Sequence, residues 1–452
     1  PYNNLMCGIF GVYQNHNYSG TQFIQSLNRL QHRGHESCGI SWVDASGIIT
    51  KKNLGLIKDN YVGLEFNVVS PMFCGHVRYS TSGNSKNDDA KKIEEAQPLT
   101  GYHKRLGYFA VCHNGNIPMD THDTQNIIDN IMSYESLNIE QILPIILEKY
   151  ERSFNLLIMT DDAIYAVKDR YGTRPMCLGQ VPARGQGQGC CVSSESCAMN
   201  DFSYTREMRS GEIVRLGGDG ITTIYLSPNS KRAYCLFEYI YFLNGESNMN
   251  GMTIDMFRYS CGIEMAKNDS MKTTNKLKID GLIVVGAPLT GIASGRGYAD
   301  FFSLEYQQIL EKKEGTTRTF ILESTEKREA ESKRKYTIED TLDLEGKRIL
   351  LTDDSLVRGI TLKNIIMKFK NRKVKEIHIR IAAPPIYNRC QYGIDIPTKE
   401  ELVANTVDIT EMAAYLGCDS LEYIPLPTVS QLITKENILC TECFTPDPRL
   451  EF

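Results

Sequence analysis

No run of apolar residues in this chain approaches the roughly 18 that a membrane-spanning helix needs, so spanning helices are not expected. Neither sign of charge dominates: 50 lysines and arginines against 55 aspartates and glutamates leave a formal net charge of −5, and the basic residues are spread along the chain. A nucleic-acid or anionic-membrane surface needs them clustered, so no such partner is expected. The first residues lack the basic and apolar regions of a secretory signal, and the expected location is cytoplasmic. Fourteen cysteines in 452 residues also lack the short secreted context of a disulfide scaffold. In a reducing compartment they are buried thiols, a nucleophile or metal ligands.

What the chain does have is length and an ordinary composition. Its 452 residues exceed one usual core, and a prior of roughly 150 residues per domain allows two or three. Hydrophobic residues at 41% and charged residues at 23% suit a globular protein. The run Met6-Cys7-Gly8-Ile9-Phe10-Gly11 organises the first half, setting a thiol directly after a methionine and ahead of a strand read over 7–12. Cutting the bond before Cys7 would give one residue both a thiol titrating near ~8.5 and an α-amine near ~8 able to act as its base. Residues 1–6 are read as a leader whose removal such chemistry requires. The same cysteine also suits the interior as a small apolar group.

Further along, Phe23, Leu27 and Leu30 share a helical face, and a polar loop carries His32-Arg33-Gly34. In Gly75-His76-Val77-Arg78-Tyr79 an arginine ends an apolar stretch, where it can pair with a ligand carboxylate or form an ordinary ion pair. The strand candidate over 108–112 feeds into His113-Asn114-Gly115-Asn116. An asparagine amide beside a glycine N–H can aim two donors at one oxygen, as a tetrahedral acyl intermediate requires, although Asn-Gly is also a common turn. Asp123 opens a helix with Ile127, Ile128, Ile131 and Met132 on one face, as an N-cap or as a carboxylate offered to a ligand ammonium.

With Glu95-Ala96-Gln97-Pro98, Asp169-Arg170-Tyr171-Gly172-Thr173-Arg174-Pro175 and Ser194-Glu195-Ser196, these runs occur in the order of class II glutamine amidotransferase domains, which the first half resembles. The resemblance implies an α+β Ntn-hydrolase fold, an αββα sandwich of four layers. It implies that Cys7 attacks the side-chain amide of glutamine, that Asn114 and Gly115 hold the oxyanion, and that Arg78 and Asp123 bind the α-carboxylate and α-ammonium. Ammonia and glutamate would be the products. Gly217-Gly218-Asp219-Gly220 and Ser227-Pro228-Asn229 mark a boundary, giving domains over 7–229 and 230–452.

Past it, strands alternate with helices, as in an α/β domain with a parallel sheet. Strands are read over 282–285, 347–351 and 376–381, and Leu362, Ile365, Ile366 and Phe369 recur at helical spacing between the last two. The run 352–361 places Asp353 and Asp354 at a strand end, where carboxylates can accept vicinal ribose hydroxyls. A glycine-bearing loop then leads to a helix N-terminus suited to a phosphate. This run resembles the phosphoribosyl pyrophosphate (PRPP) motif of type I phosphoribosyltransferases, and the order of the two halves resembles the glutamine PRPP amidotransferase family of purine synthesis. By that resemblance PRPP is bound by Asp353, Asp354, Ser355, Arg358, Gly359 and Thr361, and Mg²⁺ is held by Thr290, Asp353 and Asp354. A homotetramer inhibited by purine nucleotides is implied in the same way.

Cys235, Cys390, Cys440 and Cys443 match the iron–sulfur branch of that family, where four such cysteines hold a [4Fe–4S] cluster; zinc would accept the same set. The chain also departs from the family. Leu289 follows Pro288 where an acidic residue is usual, and segment 326–335 carries Glu329 and Glu331 where basic residues are usual. Those glutamates either oppose pyrophosphate or form a solvated helix face. Glu151-Arg152-Ser153-Phe154 departs from a small-residue turn, with no functional account at this level. Two functions follow: a complete two-step enzyme, or a regulatory homologue with weakened PRPP turnover. Another class II amidotransferase conflicts with the 352–361 run.

Overall fold

The computed structural model describes residues 7–61, 66–79, 88–117, 123–150, 152–182, 189–272, 282–313, 336–339, 342–396, 398–434, 436 and 438–446. The expected leader 1–6 and the charged segment 326–335 lie outside them. Among the described residues no helix is long and apolar enough to cross a membrane.

Alternating apolar residues build two antiparallel sheets from the first 226 residues. The strands are β1 (Gly8–Ser19), β2 (Ser37–Asp44), β3 (Gly47–Leu54), β4 (Val69–Arg78), β5 (Leu99–His103), β6 (Gly107–Gly115), β7 (Phe154–Met159), β8 (Ile164–Lys168), β9 (Cys177–Gln180), β10 (Gly189–Ser193), β11 (Ser203–Glu207), β12 (Glu212–Gly217) and β13 (Gly220–Leu226). One sheet runs β11-β9-β10-β1-β4-β2-β3 and the other β13-β12-β8-β7-β6-β5. Because successive side chains point to opposite faces, β1 sends Ile9 between the sheets, where it packs with Cys74, Cys112, Leu157 and Val192. Phe10 and Val12 point the other way, onto Phe23 and Leu27 of helix Gly20–Asn28. On the second sheet Phe109 and Val111 face Ile127, Ile128 and Ile131 of helix Asp123–Ser133 and Ile142 of helix Ile139–Lys149. The result is the αββα sandwich.

The later strands form a parallel sheet in the order Glu305–Tyr306, Leu282–Gly286, Arg348–Asp353, Glu376–Ile381, Ser420–Tyr423. Its interior strands are buried because parallel sheets are covered on both faces, and Val284, Val285, Leu350, Leu351 and Ile379 are fully buried. Helices Gly291–Phe302 and Ile360–Asn371 connect them as βαβ units. An α+β sandwich followed by a parallel α/β sheet is the fold class expected from the sequence.

Candidate active site

Cys7 leads directly into β1, near the middle of its sheet, and only 1% of it is exposed. Its main-chain nitrogen donates to Asn114 Oδ1 at 3.3 Å. Asn114 Nδ2 reaches Ser194 Oγ at 3.5 Å, and that hydroxyl also accepts from the Ile9 N–H at 3.0 Å. Asn114 and Gly115 close β6 opposite Asn155 and Phe154 of β7, so the Asn-Gly pair is a strand end and not a turn. A β-carbon at Gly115 would stand 2.0 Å from the Ser153 carbonyl oxygen; only glycine permits that approach. Burial pushes the Cys7 thiol up to about 11, against a main-chain hydrogen bond from Tyr79 and the charges of Arg78 and Arg33, while Asp123 adds to the rise. The sulfur is therefore a thiol at neutral pH, and using it as a nucleophile requires a base at hand.

Arg78 ends β4, and its buried guanidinium lies 3.1 Å from Glu36 and 2.6 Å from Glu95. Asp123 begins its helix; one carboxylate oxygen accepts from the Thr124 N–H at 2.7 Å and the other lies 3.5 Å from His113 Nδ1. Both charges bear on the Cys7 sulfur with opposite sign. Such a pair matches the two charged ends of an α-amino acid. Behind it the His113 N–H donates to Gln97 Oε1 at 2.6 Å. His76 Nε2 lies 3.2 Å from the His113 carbonyl oxygen, and burial, with Arg78 beside it, holds His76 down to about 3, hence neutral.

A buried ionic cluster also touches Cys7. Arg33 Nε donates to the Cys7 carbonyl oxygen at 2.9 Å, while the other guanidinium nitrogens reach Glu195 and Glu238. Glu238 takes a further bond from Arg174 at 3.0 Å. The sequence motifs noted above hold Arg33, Arg174 and Glu195 without giving them a role, and Glu238 lies outside those motifs. The available signal was Glu238, a charge set between Leu236-Phe237 and Tyr239-Ile240.

In the parallel domain Asp353 ends the strand Arg348–Asp353, and its Oδ1 accepts the Asp354 N–H at 2.9 Å. The Asp354 carboxylate accepts the Ser355 hydroxyl at 2.7 Å and that of Thr290. Gly359, at φ 80°, makes the left-handed turn into helix Ile360–Asn371, whose first N–H groups lack intrahelical partners. Asp353, Asp354, Ser355, Arg358, Gly359 and Thr361 line one cleft, together with Thr290, Leu289, Tyr241 and Phe242. Arg358 Nε bonds Glu401 at 2.8 Å, and Leu289 is 71% exposed.

The structure corrects the expected metals. Among the described residues no group of three or more His, Cys, Asp or Glu side chains is placed to hold a metal ion. Thr290, Asp353 and Asp354 do meet, with the Asp354 carboxylate bonded by the Thr290 and Ser355 hydroxyls and Asp353 Oδ1 by a main-chain N–H; among the described residues no third His, Cys, Asp or Glu joins the pair, and the Mg²⁺ assignment is set aside. Cys235 and Cys440 are register partners on neighbouring strands, and Cys390 and Cys443 come within electrostatic reach of them. A cluster or zinc needs thiolates converging on the metal, about 2.3 Å from a zinc ion. Burial pushes all four thiols up, Cys235 to about 12, and among the described residues they are not placed as such a ligand set. The [4Fe–4S] and zinc assignments of Cys235, Cys390, Cys440 and Cys443, and with them the iron–sulfur branch, are set aside.

No family model matches the chain. It is 32% identical over 467 residues to the amidophosphoribosyltransferase of Methanothermobacter thermautotrophicus, spanning 98% of this chain and 94% of that one. It is also 32% identical over 467 residues to the human amidophosphoribosyltransferase, spanning 92% and 87%. Among solved structures it superposes with a TM-score of 0.83 at 28% identity on a glutamine PRPP amidotransferase from B. subtilis complexed with ADP and GMP, covering 98% and 97% of the two chains. A structure described as the allosteric regulatory enzyme of purine biosynthesis gives 0.84 at 29% identity, covering 98% and 96%. With likeness of this extent over nearly its whole length, the chain belongs to the amidophosphoribosyltransferase family.

Proposed function

We propose that this chain is a glutamine-dependent PRPP amidotransferase, acting as a glutaminase over 7–229 and a phosphoribosyltransferase over 230–452. Its products would be 5-phosphoribosylamine, glutamate and pyrophosphate, at the committing step of purine synthesis. One observation carries the reading: the Tyr79 hydroxyl, next to Arg78, lies 3.5 Å from Asp395 Oδ2, and Asp395 lines the cleft that holds Asp353 and Asp354. In this reading the two chemistries lie on either side of that contact.

In this reading Arg78 and Asp123 hold the α-carboxylate and α-ammonium of glutamine. Once the Met6–Cys7 bond is cut, the Cys7 amine takes the thiol proton as the sulfur bonds the side-chain amide carbon. The oxyanion meets Asn114 Nδ2 and the Gly115 N–H. The amine returns its proton to the departing nitrogen, which leaves as ammonia, and water cleaves the thioester to glutamate. At the second cleft Asp353 and Asp354 accept ribose hydroxyls of PRPP, while Ser355, Arg358, Gly359 and Thr361 hold a phosphate at the helix N-terminus. Ammonia bonds C1 as pyrophosphate departs. Purine nucleotide inhibition and a homotetramer belong to this reading through the family alone.

The test is product formation that needs glutamine and PRPP together, disappears in Cys7→Ala and returns on adding ammonia; no return with ammonia sinks the division of labour. Leu289, exposed in the cleft in place of an acid, favours a second reading, a regulatory homologue with weakened PRPP turnover. Calorimetry with PRPP separates the two, since absence of binding supports the second.

A further inference from the structure

Resting on the proposed glutaminase reaction, we propose that Glu238, a residue of the parallel domain, is a positioning residue for the Cys7 nucleophile, acting through Arg33 and tying it to the wall of the phosphoribosyl cleft. Cys7 is held at two main-chain atoms, its nitrogen by Asn114 at 3.3 Å and its carbonyl oxygen by Arg33 Nε at 2.9 Å. The aim of the sulfur is therefore only as good as the placement of the Arg33 guanidinium. That guanidinium is fully buried and has no solvent to orient it. Glu238 grips one of its nitrogens with both carboxylate oxygens, at 2.9 and 3.0 Å. Burial opposes the Arg33 charge, but Glu238 and Glu195 outweigh it, so Arg33 stays charged.

The other end of the link is the cleft. Glu238 opens the short helical turn Glu238–Phe242, and Phe237, Tyr241 and Phe242 line the cleft while Glu238 does not. A few residues on, Glu195 Oε2 accepts the Asn244 N–H at 2.7 Å and the Ser247 hydroxyl at 2.8 Å. The segment that walls the cleft is thus clamped at both ends to the two carboxylates that orient Arg33. A shift of that wall moves the Glu238 carboxylate, and with it the Cys7 carbonyl. Arg174 also donates to Glu238 Oε1, at 3.0 Å, and to the Tyr392 carbonyl oxygen at 2.5 Å. The two arginines and two glutamates balance in charge, which buried ions require.

The test compares glutamate release with ammonia-dependent transfer to PRPP in the full processed chain. Glu238→Gln keeps the side-chain shape and removes the charge between Arg33 and Arg174. Glutamate release should fall roughly ten- to a hundredfold in kcat, since a small misplacement of a reacting group costs that much, with KM for glutamine within about threefold and ammonia-dependent transfer within about twofold. In an Arg33→Gln background the same change should add little, because both act along one path. Equal loss of the two activities, unchanged glutamate release, or full additivity with Arg33→Gln would overturn the proposal. Should Glu238→Gln not fold, Glu238→Asp, which withdraws the carboxylate by one methylene, should give the same split at roughly threefold; equal losses there overturn it too. A wild-type chain that releases no glutamate fails the glutaminase reading itself, before any variant is compared.

Discussion

Arg33 and Glu238 meet through two hydrogen bonds, of 2.9 and 3.0 Å, although 205 residues separate them along the chain and both side chains are buried. Removing one partner of such a pair leaves an uncompensated buried charge, at a cost of about 3–5 kcal/mol. The pair belongs to a wider seam between the two halves. Asn116 donates to the Gln391 carbonyl oxygen at 3.1 Å, and Arg152 bonds Glu442 at 2.9 Å. The Arg152 guanidinium also lies over the rings of Tyr171 and Tyr392, at 4.2 and 4.7 Å. That gives Arg152 a docking role which its sequence does not announce.

Gly115→Ala is expected to abolish most glutamate release. The added carbon would fall 2.0 Å from the Ser153 carbonyl oxygen, so the strand end must move and take its N–H with it. Loss of one oxyanion donor costs roughly 10²–10³ in kcat. Parallel assays with glutamine and with ammonia check this, and only the glutamine-dependent rate should fall.

Arg78→Met should raise KM for glutamine by roughly ten- to a hundredfold, the worth of a charge-assisted pair of about 1.5–3 kcal/mol. It should lower kcat as well, because the Arg78 charge is one of the influences opposing the upward push on the Cys7 thiol. Steady-state kinetics over a range of glutamine concentrations separates the two effects.

Stability at low pH should depend on Glu212. Burial works against its charge, but hydrogen bonds from Arg206 and Arg209 outweigh that and hold the carboxyl down at about 2, from an ordinary 4.5. With the folded value depressed, the unfolded chain takes up the proton first as pH falls. The contribution is therefore complete above about pH 4.5 and lost on the way down to about pH 2. Thermal melts across that window should show a steeper fall for the wild type than for Glu212→Gln, which starts out less stable.

Asp269→Ala should destabilise the parallel domain by about 3–5 kcal/mol, since it strands a buried guanidinium. Arg380 donates to Asp269 through Nε and, at 2.9 Å, through a second nitrogen, and the Tyr298 hydroxyl donates to the same carboxylate at 2.5 Å. Denaturant unfolding of the variant against the wild type measures the loss.

Much of this was legible in the chain itself, for a local reason. Strand 376–381 was read with the bounds it has, because Ile377, Ile379 and Ile381 alternate with polar residues at the period of a strand. The grouping of Asp353, Asp354, Ser355 and Thr361 was readable because a strand end, a loop and a helix start are neighbours in sequence as well as in space. The Asn-Gly pair was harder, since the same two residues serve a turn or a strand end. Only pairing with β7 decided it.

What the sequence by itself determined is therefore the two-part fold and the residue types gathered at each site: Cys7, Asn114 and Gly115, Arg78 and Asp123, and the 352–361 run. Tertiary structure decided protonation, convergence and connection, because each depends on which distant segments share a buried volume. Four cysteines matched in type, yet among the described residues no group of three or more such side chains is placed to hold a metal ion. Arg33, Arg174, Glu195 and Glu238 looked like scattered charges and became one network only when two domains closed around them. A buried charge must find its partner wherever the fold puts it, and sequence spacing carries no record of that distance.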